Sequence, residues 1–135
     1  MTGPMSRRGI LPIGNVPAEI RLAAWLLFTG GVLFVLVDLI RLATEGGDNE
    51  AFVLPLLQLV IALGIAGGLL RGMRLARLVG LLFALTVALL HTLIAMQPYP
   101  LWVRIAAGVI AASQVYVAVL LNTRPAVLHT GGARR

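Results

Sequence analysis

Four long apolar stretches, separated by short polar breaks, account for most of this chain. They run over about residues 20–42, 51–70, 75–96 and 101–121. Each approaches the ~20 residues that a helix needs to cross a hydrocarbon layer. In lipid the backbone must satisfy its own N–H and C=O groups, so each stretch is predicted to be an α-helix. The breaks carry turn chemistry. Gly46 and Gly47 sit in the segment TEGGDNE, RGMRLAR joins the second run to the third, and two prolines in QPYP stop one helix and start the next. Pro55 falls early in the second run, where a helix tolerates it. Asn122, Arg124 and Pro125 close the fourth.

The pattern predicts an all-α fold: an integral membrane four-helix bundle, up-down-up-down, over residues 19–122. Residues 1–18 and 123–135, rich in Gly, Pro and Arg, are expected to be tails. A basic start followed by an apolar run has the outline of a signal peptide. The run is too long for one, and no small-x-small cleavage site follows, so it should stay attached.

Composition makes the bilayer necessary rather than convenient. Of 135 residues, 59% are hydrophobic and 12% charged, with a mean hydropathy of +0.97. A small domain can hide only part of its surface, so lipid must cover the remainder. The net charge of +6 would ordinarily raise nucleic acid as a partner. Here the arginines sit at the ends of apolar runs and do not interleave with aromatic residues, which excludes a strand-binding groove. No cysteine is present, so thiol catalysis, thiolate metal sites and disulfides are excluded.

Arginine placement also predicts orientation. Arg7, Arg8 and Arg21 precede the first run, Arg71, Arg74 and Arg77 lie at the second-to-third turn, and Arg124, Arg134 and Arg135 follow the fourth. Parity puts all of these on one side and leaves Arg41 and Arg104 on the other. The positive-inside rule makes the crowded side cytoplasmic, with both termini in the cytoplasm and Glu45, Asp48 and Glu50 outside. Tyr99 and Trp102 suit an outer aromatic belt, and Trp25 an inner one. The expected location is a plasma or inner membrane, crossed several times.

Sliding the chain by 53 residues lays Arg21-Leu22-Ala23 on Arg74-Leu75-Ala76, Asp38 on His91 and Arg71 on Arg124. This is the faint signature of two parallel helical-hairpin repeats.

Asp38, Gln58 and His91 are the polar residues inside apolar runs that could meet in the outer half of the bilayer. An intramembrane ionisable group is a functional candidate by default, and histidine can exchange protons near neutral pH. A structural role is the competing expectation, with Arg41 pairing with Asp38 along the helix and the other two making interhelical hydrogen bonds. Ser113, Gln114 and Tyr116 form a second polar group, expected to act as packing glue because no base lies at their depth. His129 is expected to be solvated.

Small residues mark close-approach faces: Gly64, Gly67 and Gly68 on the second run, Gly108, Ala111 and Ala112, beside Ala107, on the fourth. The basic turn of Arg71, Arg74 and Arg77 could also attract anionic head groups. There is no phosphate-cradling loop, no HExxH and no lysine for Schiff-base chemistry, and two histidines cannot complete a zinc or haem site. No catalytic residue, metal or cofactor is therefore expected.

Gly72-Met73-Arg74-Leu75-Ala76-Arg77 entering the third run and Leu120-Leu121…Arg124-Pro125 leaving the fourth resemble the small four-span membrane proteins of high-GC actinobacteria. The likeness is architectural, spans the whole chain and implies no activity. Small multidrug-resistance transporters are also similar in length and span number. Their essential acid is a glutamate deep in the first span, whereas Asp38 lies near that span's outer end. The sequence favours a non-enzymatic accessory or scaffolding subunit, whose partners are lipid and another membrane protein or a second copy. The alternative is a small transporter or channel, as one chain or a homodimer, with an outward-facing polar site.

Overall fold

The computed structural model describes residues 16–131, apart from the side chain of Ala51. Arg7, Arg8, Arg134 and Arg135 lie outside the described residues. Four long helices carry the chain: α1 (Ala18–Glu45), α2 (Val53–Leu70), α3 (Arg74–Met96) and α4 (Leu101–Leu121). A 3-10 turn, Asn49–Phe52, precedes α2, and a short helix α5 (Arg124–His129) follows α4. No strand occurs among the described residues. Each of the four long helices is long and apolar enough to cross a membrane.

Helix ends follow local chemistry. α1 continues three residues past the predicted limit of 42, held by Thr44 Oγ1 donating to the Ile40 carbonyl (2.8 Å). It stops where Gly46 (φ 75°) and Gly47 (φ 135°) enter backbone space that L side chains avoid. Pro55 lies in the first turn of α2, where its missing N–H leaves no helical bond unmade. Pro100 sits just before α4 and Pro125 in the first turn of α5.

The helices form a ring in which α1 packs on α2 and α4, and α3 on α4; α2 and α3 touch more sparsely. At one end, here called proximal because both described termini reach it, Ile20, Leu69, Leu121 and Ala126 are sealed in one apolar cluster. At the opposite, distal end, Val37, Asp38, His91, Tyr99 and Val103 come together. Glycines set the close approaches. Gly31 lies against the Leu59 backbone, where a Cβ would come within 3.2 Å of its Cα. A Cβ on Gly68 would meet that of Ala76 at 2.6 Å, and one on Gly80 would press on Ile65 and Leu121.

Residues 123–131, the described part of the expected tail 123–135, do not behave as the simple tail their composition predicted. α5 folds back across the proximal end, burying Ala126 fully, and His129 Nε2 lies 3.0 Å from the Leu69 carbonyl. His129 is thus half-buried rather than solvated. α5 carries one small apolar residue towards the cluster, and His129 adds a second contact to the Leu69 carbonyl, which already accepts from the Gly72 N–H (3.0 Å).

At two other helix ends an arginine meets a terminal carbonyl. Arg77 donates to the Leu121 carbonyl (3.2 Å) at the end of α4, and Arg104 Nε to the Ala95 carbonyl (2.8 Å) at the end of α3. Cationic donors suit the negative end of a helix dipole. Arg77 is therefore engaged in the fold, unlike exposed Arg71 and Arg74.

Candidate functional site

Along α1, Phe34, Val37, Asp38 and Arg41 recur at helical spacing and face one another's turns. α3 brings His91 to the same level, and α4 closes the far side with Val103, Ala107 and Ile110. Together they enclose a cavity of about 50 Å³ at the distal end. A second cavity of about 110 Å³ lies against it, bordered by Gly46, Gly47, Asp48 and Phe52. Asp38 and Arg41 line both, so this pair forms the wall between them.

Asp38 Oδ1 lies 3.5 Å from Arg41 Nη1, the along-helix pairing expected of that spacing. Glu45 Oε2 stands 3.9 Å from Arg41 Nε, too far for a hydrogen bond, and that buried N–H has no partner. The guanidinium carbon sits 4.9 Å above the centre of the Tyr99 ring, a cation–π contact that fixes the arginine against the α3–α4 turn.

His91 is 1% exposed. Its Nδ1 lies 2.9 Å from the Val87 carbonyl one turn back, and a carbonyl only accepts, so this nitrogen carries the hydrogen. Nε2 is buried and has no partner among the described residues. The ring meets Phe34 edge-on, with centroids 4.6 Å apart. The expected interhelical hydrogen bond is absent, and the imidazole presents one unused polar atom beside the cavity.

A water needs roughly 10–15 Å³ of such space and two to four polar partners. The cavity has room for a few, and Asp38 and Arg41 line it as polar groups, with the His91 ring beside them. Nothing much larger than water fits in the state described.

The cavity ends on an apolar layer of Phe34, Val87 and Ile110. About one turn deeper (~6 Å) along α1 lies Gly30. Gln114 Nε2 occupies the space that a Cβ on Gly30 would take, at 2.7 Å. Gln114 is 1% exposed, and its Oε1 is unpaired.

Of the three polar residues singled out by depth, Asp38 and His91 share the cavity, and Gln58 does not. Gln58 is buried on α2, a helix that contributes no residue to the cavity lining. Ser113, Gln114 and Tyr116 do not converge: Ser113 donates to the Ile110 carbonyl of its own helix (2.7 Å), and Tyr116 faces outward.

The small-residue faces divide as well. Gly68 and Ala111 are buried, whereas Gly64, Gly67 and Gly108 meet nothing within 4 Å of where a Cβ would stand, and Ala112 is exposed. Sequence reasoning missed Gly30, Gly31 and Gly80 as the close-approach positions. It also missed Phe34 and Tyr99 as partners of His91 and Arg41. Gly30-Gly31 interrupting an apolar run was the available signal for the first; the ring contacts have no local signature.

Among the described residues no three His, Cys, Asp or Glu side chains lie close enough to hold a metal ion. Compared with protein-family models, with curated proteins and with solved structures, the chain has no significant match.

Proposed function

We propose that the chain is a multi-pass protein of the cytoplasmic membrane, with both termini inside, acting as a non-enzymatic accessory or scaffolding subunit. The arginine distribution supports the orientation, and the proximal end is then cytoplasmic and the distal end outer. The observation that carries the docking reading is the outward placement of Gly64, Gly67 and Gly108, with nothing within contact distance of their missing Cβ atoms. Small residues let another helix approach closely in lipid, where packing rather than hydrophobicity drives association. The partner is a larger membrane protein or a second copy of this chain. A path through the molecule is closed in the state described, because the distal cavity stops at Phe34, Val87 and Ile110, which supports docking over conduction.

The test is purification from native membranes in mild detergent, comparing the wild type with Gly64→Leu and Gly108→Leu. A stoichiometric partner or a defined self-oligomer, lost in at least one variant, is the expected outcome. A monomer without companions, indistinguishable from both variants, would overturn the reading.

One observation favours a second reading, a small transporter or channel with an outward-facing site: the buried, unpaired Nε2 of His91 beside a cavity walled by Asp38. Ion or proton flux into vesicles containing the purified chain alone, abolished by Asp38→Asn, would establish it. Silent vesicles would dismiss it.

A further inference from the structure

Between α1 and α2, in the proximal half, runs a groove of about 430 Å³ that no part of the described chain fills. Buried Ala24 and Ala66 form its floor, exposed Trp25 and Phe28 one wall, and Leu63 the other. Trp25 meets Phe28 edge-on, with centroids 6.1 Å apart, which steadies that wall while leaving the indole 64% exposed. Arg21, one turn before Trp25, lies at the proximal mouth, exposed and making no ion pair among the described residues.

We infer that this groove is a binding site for one anionic phospholipid of the cytoplasmic leaflet. The headgroup phosphate sits at Arg21 and the upper part of one acyl chain lies along Ala24 and Ala66. Arg21 to Phe28 spans about two helical turns, ~10 Å, or a third of the ~30 Å hydrocarbon thickness. That matches the headgroup-proximal part of a chain and is too short to seat a helix crossing the whole membrane. Charge complementarity fixes the headgroup class. Exposed Arg71 directly follows Leu70 of the groove lining, and exposed Arg74 is on the same turn, against the one acid, Glu19, of that end. Basic pockets between helices on the cytoplasmic side suit anionic headgroups.

The inference rests on the membrane-spanning reading, and one experiment separates the two. The chain has two tryptophans, so Trp102→Phe leaves Trp25 as the only reporter, in the groove wall. The protein is reconstituted in phosphatidylcholine vesicles containing a fixed fraction of lipid with brominated chains, either phosphatidylglycerol or phosphatidylcholine. Bromines quench the indole on contact. The expected result is stronger quenching by the anionic lipid, equivalent to about a fivefold preference, as for one arginine near the membrane surface. Arg21→Gln should reduce this preference to near unity, Arg21→Lys should keep most of it, and Ala66→Leu should remove the preference by filling the floor. Equal quenching by the two lipids, or a preference that survives both Arg21→Gln and Ala66→Leu, overturns the site. Quenching that disappears as protein is concentrated in the bilayer assigns the groove to a second copy and overturns it too. No quenching by either lipid would remove the spanning reading itself, and the site with it.

Discussion

The two ends of this helical ring use the same four helices to opposite effect. At the proximal end Ile20, Leu69 and Leu121 are essentially inaccessible, Gly68 brings α2 onto Ala76, and α5 lays Ala126 over the opening. At the distal end the helices enclose a cavity walled by an ion pair and by an imidazole with an unused nitrogen. The difference lies in residue size at the interfaces. Glycine and alanine let two helices close on each other, whereas Phe34, Tyr99 and Arg41 prop the distal end apart and leave space lined by polar atoms. The apolar layer of Phe34, Val87 and Ile110 separates the two regimes. Gln114, below it, is sealed off from whatever occupies the cavity.

The contrast can be broken most forcibly at the proximal end. Leu69→Ala removes a fully buried side chain from the sealed cluster and should destabilise the fold by about 2–5 kcal/mol, read from reversible unfolding in mixed micelles. An equal truncation on the outward-facing surface, Leu82→Ala, should change stability by no more than ~0.5 kcal/mol. Next in size is a pair of glycines with the same substitution. Gly68→Leu must push Ala76 away and should destabilise by roughly 1–3 kcal/mol, whereas Gly64→Leu has open space and should leave the isolated fold unchanged. If both substitutions prove neutral, the close packing of α2 on α3 is wrong.

Helix-end contacts come third. Arg104→Leu removes the donor at the Ala95 carbonyl and should cost about 1 kcal/mol, with faster amide exchange in the last turn of α3. The smallest effect belongs to the distal ion pair. Asp38→Asn leaves Arg41 on the Tyr99 face and should lower stability by less than ~1 kcal/mol, because the pair is partly exposed. A loss of several kcal/mol there would mean that the distal end is held as tightly as the proximal one.

Much of this architecture was legible along the chain. Long apolar runs, glycine and proline breaks and the Asp38–Arg41 spacing are local signals, and the helices begin and end near them. Pairing between helices is not local. Depth alone grouped Gln58 with Asp38 and His91, but α2 meets α1 through Gly31 and contributes nothing to the cavity. Glycine spacing pointed to Gly64, Gly67, Gly68 and Gly108, yet a small residue signals a possible approach without saying which helix takes it; of these only Gly68 is used inside the ring, together with Gly30, Gly31 and Gly80. α5 was hidden because one buried alanine and one histidine on a carbonyl leave almost no trace in composition.

The most direct test of the contrast is water contact at the two buried polar side chains on either side of the Phe34 layer. The chain has two histidines, so ¹⁵N-histidine labelling in a His129→Asn background reports His91 alone; among its three glutamines, the ¹⁵N signal of Gln114 is the one lost in Gln114→Met. In lipid bilayers, magnetisation transferred from water should reach His91 Nε2 within milliseconds and leave the Gln114 amide untouched until Phe34→Ala removes the layer between them. Equal transfer to both in the wild type, or none to His91, would contradict an open distal half beside a sealed proximal one.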